Sequence, residues 1–135
     1  MEKFIFLLII IWLITVYVLL NNKLKKSRKK LNQEQIKSLK KLLKNIELNI
    51  DSTQHQILEI DKLYHKVIIL AWYNWTFWEI LKLNPKEITD INLIWELHKI
   101  RNKIAHDFDI MDQKTLLVKA KTYKKEVEKL IITLT

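Results

Sequence analysis

Beyond its first twenty residues the chain is written in steps of three and four. Ile36, Leu39, Leu42, Leu43, Ile46 and Ile50 recur at those steps with Lys on the far side, which predicts an amphipathic helix. Asn49 to Thr53 interrupts it, and Asp51 with Gln54 three residues on predicts a capping box for the next helix. That helix turns Ile57, Ile60, Leu63, Tyr64, Val67, Ile68 and Ala71 toward a core, with Glu59 and Asp61 among them. In W-Y-N-W-T-F-W-E-I-L (Trp72 to Leu81), Thr76 and Glu79 have capping-box spacing, with Trp75 and Ile80 as a staple around it. A short helix should stop before Asn84-Pro85, because the residue before Pro avoids helical geometry. Thr89 or Asp90 opens the following helix, and Phe108 to Met111 reads as a turn. Asp112 is the expected N-cap of a last helix with the stripe Leu116, Leu117, Ala120, Tyr123, Val127, Leu130, Ile131 and Leu134. The pattern predicts an all-α fold, a bundle of four to five helices over residues 33–135.

The opening of the chain has no such period. Phe4 to Leu20 is apolar and uncharged, which predicts a single transmembrane helix within residues 1–22. A cleaved signal peptide fits less well, since no small-residue cleavage site follows and the positive charge lies on the wrong side. Residues 23–32 then form a basic juxtamembrane linker carrying Lys23, Lys25, Lys26, Arg28, Lys29 and Lys30. By the positive-inside rule the amino terminus lies outside and the bundle in the cytoplasm of a single-pass inner-membrane protein. The lipid bilayer is then a partner, and the basic cluster contacts anionic headgroups.

Composition sharpens this picture in three ways. The chain has no Cys, which excludes disulfides, thiolate metal sites and cysteine nucleophiles. It has no Gly, which excludes the phosphate loop and the dinucleotide fingerprint and leaves Asn to take left-handed positions. Residues 31–135 hold 17 basic and 14 acidic side chains, so most of the net +9 sits in the basic linker and argues weakly for nucleic acid. Finally, Arg28 and Arg101 are the only arginines among 24 basic residues. Arg offers a planar fork that Lys lacks, suited to phosphate or carboxylate oxygens.

Arg101 lies on the fourth long helix. Leu93, Leu97, Ile100 and Ile104 form one stripe of it, and Ile91, Ile94, Trp95, His98, Asn102 and Ala105 form another on roughly the opposite side. A helix apolar on two sides is central in its bundle or lies at an interface. Arg101 borders the second face and needs an acceptor, which Asp61 or Glu79 could supply; facing a cleft, it could instead hold phosphate. His106, one turn after Asn102, suits general acid–base chemistry, with Asn102 or Asp107 holding its ring. His98 reads as a packing residue, and the three Trp of Trp72 to Trp78 as core or interface residues.

The run H-K-I-R-N-K-I-A-H-D (His98 to Asp107), ahead of a last amphipathic helix, resembles the signature of HEPN domains, an Arg followed four to six residues later by His. More narrowly it is similar to small membrane-anchored proteins of ultrasmall, candidate-phyla bacteria, with the pattern W-x-x-H-K-x-R-N-x-x-A-H. The resemblance touches Glu59 to Leu63 and Glu79 to Leu81, and departs from the family in lacking glycines around Trp72 to Phe77. It implies a helical bundle that pairs as a homodimer through the motif helix. It also implies metal-independent endoribonuclease chemistry without a cofactor, RNA as partner, and catalytic roles for Arg101, His106 and Asn102. Arg101 would stabilise the scissile phosphate, and His106 would assist attack by the ribose 2′-hydroxyl or protonate the leaving oxygen. His98, Asp61, Glu79 and Asp107 would support them. The alternative is a non-enzymatic membrane-anchored interaction or scaffold module with a structural Arg/His pair.

Overall fold

The computed structural model describes residues 2–27, 29–72, 75–106 and 111–135. Six helices follow one another: α1 (Glu2–Ser27), α2 (Gln33–Asn49), α3 (Thr53–Ala71), α4 (Phe77–Lys82), α5 (Ile91–His106) and α6 (Gln113–Thr133). No strand forms among the described residues. The bundle is α2 to α6, with α3 at its centre, packed most extensively on α6 and also on α2, α4 and α5.

The caps explain where the helices start. Asn32 and Gln35 close a full capping box on α2, and Thr76 and Glu79 close the expected one on α4. Asp90 Oδ1 accepts from the amide of Leu93, so Asp90, not Thr89, opens α5. Asp112 caps α6 as expected. The cap of α3 lies one residue later than the sequence suggests: Ser52, not Asp51, accepts from the amide of His55. The Thr53 hydroxyl accepts from Gln113 of α6 at 2.8 Å, which ties the first turn of α3 to the last helix. Asn84 adopts φ 46°, the left-handed position expected of Asn in a chain without glycine.

The predicted stripes form one core. Every apolar residue assigned to the inner face of α3 is buried, as are Leu39 and Leu43 of α2 and Leu97 and Ile100 of α5. On α6 the stripe holds except at Leu117, which is 43% exposed. Leu117, about 100° around the helix from Leu116, borders an open groove beside Leu43 and Ile60. Each fully buried aliphatic side chain contributes roughly 1.5–3 kcal/mol. The backbone of the basic linker joins this unit: Lys29 N donates to Ala71 O at 2.7 Å and Leu31 N to Leu134 O at 2.9 Å, with the Leu31 side chain buried.

The expectation for the amino-terminal segment is corrected. It folds as α1, a helix of 26 residues, but among the described residues no helix is long and apolar enough to cross a membrane. The apolar run Phe4 to Leu20 within α1 rises about 25 Å at about 1.5 Å per residue, short of a hydrocarbon core of ~30 Å. The single-pass topology, the inner-membrane location and the cytoplasmic placement of the bundle were all deduced from that span, and they fall with it. The described side chains of α1 are nearly all exposed, with Val16 partly covered.

Candidate functional site

The site is built where α3, α5 and α6 converge on one buried acid. Asp61 and His65 stand one turn apart on α3 and face His98 and Arg101 of α5, while Tyr123 reaches in from α6. Asp61 is only 2% exposed. A buried carboxylate is costly unless every lone pair finds a donor or a cation. Its Oδ1 accepts from the Tyr123 hydroxyl at 2.5 Å and lies 2.9 Å from His98 Nδ1. Because a carboxylate only accepts, that ring nitrogen carries the hydrogen. Its Oδ2 faces Arg101 Nε and His65 Nε2, each at 3.5 Å.

The two sides of Asp61 are therefore unlike. On the Oδ1 side both contacts are hydrogen bonds. On the Oδ2 side, neither Arg101 Nε nor His65 Nε2 has a hydrogen-bond partner, although both atoms are buried. Arg101 is held there by charge and, at Nη1, by donation to Asn102 Oδ1 at 3.0 Å. Burial pushes the His65 ring below the ordinary histidine range; Asp61 pulls the other way, while His98 and Arg101 add to the lowering. Burial, reinforced by the Asp61 charge, raises Tyr123 far above the ordinary phenol value, so it remains a donor.

Asp61, His65, His98, Arg101 and Asn102 line an open cavity of about 620 Å³ between α3 and α5. Lys62 and Lys66 of α3 add cations to the lining that Arg101 and Asn102 of α5 share, and Ile69, Leu70 and Trp78 supply its apolar part. The tryptophan tract shapes the cavity, in keeping with a packing role. Phe77 stacks on the His65 ring with centroids 3.6 Å apart, and Trp78 meets His98 edge-on at 4.8 Å and stacks on Trp95 at 4.8 Å. A cationic cleft with an exposed indole at its rim suits an anionic group carried next to a ring.

No known family model, curated protein or solved structure matches this chain. The functional reading therefore rests on the chemistry of the cavity.

Of the residues singled out in the sequence, Arg101, Asn102, His98 and Asp61 come together at this cavity. Asp61, not Glu79, is the acid that faces Arg101. Glu79 is exposed and closes the α4 cap, with Oε2 accepting from the Thr76 amide at 2.8 Å and from its hydroxyl at 2.7 Å. His106 is exposed at the end of α5 and is not among the residues lining the cavity. Asp107 lies outside the described residues, as do the side chains of Lys23, Lys25, Lys26 and Arg28; Lys29 and Lys30 are exposed. His98 does more than pack, because its ring is a direct partner of Asp61.

Sequence reasoning missed His65, Lys62, Lys66 and the role of Tyr123. For His65 a signal was present: Asp61 and His65 are four apart, one helical turn, beside the apolar stripe of α3, where polar groups need partners. For Tyr123 there was none, since its position in the α6 stripe is that of an ordinary core residue.

Proposed function

We propose that the chain is an HEPN-like RNA-processing domain, a metal-independent endoribonuclease whose phosphate-binding wall is Arg101 and Asn102. The observation that carries this reading is the position of the domain's lone Arg: hydrogen-bonded to Asn102 beside a cavity with Lys62, Lys66 and Trp78 around it. The guanidinium neutralises the scissile phosphate, and the two Lys draw the flanking backbone toward the cleft. Trp78, 41% exposed, offers a face on which a base can stack. His106, exposed at the end of the same helix and one turn beyond Asn102, transfers the proton during attack of the ribose 2′-hydroxyl. A second copy aligned on α5 would bring two such sets into one cleft.

The test is to incubate the full chain with single-stranded RNA in the presence of a chelator. Cleavage should occur, and should fall about 10²–10⁴-fold in His106→Ala, with Arg101→Ala also inactive. Absence of cleavage by the wild type, or its survival in both variants, removes the enzyme reading.

One observation favours a second reading, a non-enzymatic interaction module. Arg101 Nε lies 3.5 Å from the buried Asp61, so the Arg also balances an internal charge. On this reading Arg101→Ala acts chiefly by lowering the melting temperature, and no RNA is cut. Because the Arg101 side chain is 29% exposed, screening reduces the loss to about 1–2 kcal/mol, below the cost of breaking a fully buried pair.

A further inference from the structure

The ribonuclease reading uses Arg101, Asn102 and His106 and leaves the floor of the cavity unexplained. Asp61, His65 and His98 each present one ligand atom there, all within 4.8 Å of one another. We propose that these three side chains form a binding site for a divalent transition-metal ion of the zinc class, open on one side to the cavity.

The spacing suits such an ion. Two donors, each about 2.1 Å from a metal, stand about 3 Å apart at a right angle and about 3.4 Å apart at a tetrahedral one. His98 Nδ1 lies 2.9 Å from one Asp61 oxygen and His65 Nε2 lies 3.5 Å from the other, so each imidazole already stands beside a carboxylate oxygen and a small shift of the rings or the carboxylate would bring all three onto one ion. The strongest pointer is His65 Nε2, a buried ring nitrogen without a hydrogen-bond partner, aimed at a carboxylate oxygen. Buried polar atoms are seldom left unsatisfied, and a metal ion supplies the missing partner. The surroundings add the outer support that metal sites require: the Tyr123 hydroxyl donates to Asp61, and Phe77 stacks on the His65 ring and fixes its plane. Three protein donors with the fourth direction facing a cleft leave room for water or a ligand oxygen.

Charge limits which ions can enter. Arg101, Lys62 and Lys66 repel any dication alike, so an ion must gain enough from nitrogen ligands to overcome them. Imidazole favours zinc, cobalt and nickel over magnesium and calcium, which want oxygen. Binding replaces the hydrogen on His98 Nδ1 by the metal and releases that proton. It also takes up the Asp61 oxygen that faces Arg101, which frees the guanidinium toward the cavity. The site thus couples metal occupancy to the availability of the Arg on the phosphate-binding wall. The proposal stands on the geometry of α3 and α5 and does not depend on RNA cleavage.

The test titrates the full chain with Co²⁺, followed by visible absorption, and then displaces it with Zn²⁺. The expected result is one equivalent of tightly held Co²⁺ that Zn²⁺ displaces and Mg²⁺ does not. Since Asp61 is central to the fold, the ligand to substitute is His65: His65→Ala should weaken binding at least about tenfold, and Tyr123→Phe by about 10–100-fold. His55→Ala removes the exposed His55–Glu59 pair and should bind as the wild type does. Absence of a saturable one-equivalent signal, or binding that survives His65→Ala or is lost in His55→Ala, overturns the site. Cleavage in chelator reports on the ribonuclease reading separately, so the two can fail independently.

Discussion

At the scale of single residues, Asp61 is the most consequential side chain in the molecule. Three helices send it a donor or a cation, and removing it strands each of them at once. Asp61→Ala should destabilise the bundle by about 3–5 kcal/mol, because the buried Tyr123 hydroxyl, the buried His98 ring and the half-buried Arg101 lose their partner together. Tyr123→Phe leaves the carboxylate one donor short and should cost about 1–3 kcal/mol. Urea melts followed by circular dichroism measure both, and an Asp61→Ala protein as stable as the wild type would show that the cluster is not structural. The caps give a second residue-scale prediction. Hydrogen bonds from the Thr76 hydroxyl and amide hold Glu79 below the ordinary carboxylate range, and Thr115 does the same for Asp112. A depressed folded pKa means stability that is present above the ordinary Glu or Asp value and lost as pH falls through the depressed one. The Thr76 and Thr115 amide resonances should therefore shift in that acid window. Glu79→Gln keeps the cap geometry and should abolish the shift at Thr76.

At the scale of elements, α5 differs most from its description by pattern alone. Its two apolar stripes suggest a helix enclosed on both sides, yet burial is confined to Ile94, Leu97, His98 and Ile100. Ala105 and His106 are exposed, and Arg101 and Asn102 stand at the margin between core and cavity. Helix α4 meets the second stripe at Trp95 and His98, through Trp78, whereas Ala105 near the carboxyl end of α5 is exposed. The partly covered Trp95, stacked on Trp78, marks the edge of that contact. Trp78→Ala should then leave the fold intact while weakening RNA binding by about 1–3 kcal/mol, the worth of one stacked base. Fluorescence anisotropy with labelled single-stranded RNA measures this, and unchanged affinity would take Trp78 out of the ligand site.

At the scale of the whole molecule, the chain divides into a packed bundle and an exposed apolar helix. The extensive helix contacts all lie among α2 to α6, and the bundle closes its own amino-terminal edge through Lys29 and Leu31. A chain beginning at Lys29 should accordingly melt at the temperature of the full chain. It should also scatter less light at equal concentration, since the exposed Ile, Leu, Phe and Trp of α1 form an apolar surface that associates in water. A lower melting temperature on truncation would mean that α1 is part of the folded unit.

By itself the sequence determined much of this. The core stripes of α2, α3 and α6, the caps of α4 and α6, the stop of α4 before Asn84-Pro85 and the all-helical class follow from periods and end signals that act within a few residues. It also singled out Arg101 with Asp61 or Glu79 as its acceptor, since an isolated Arg at a core margin needs an acid. What only the tertiary structure decided are the choices that depend on distance in space. Asp61 rather than Glu79 faces Arg101, because α3 packs on α5 while Glu79 is spent on its own helix end. His65 joins His98 across two helices, and Tyr123 turns from a core aromatic into a donor. No spacing along the chain encodes those meetings, because they arise from how helices already formed pack against one another.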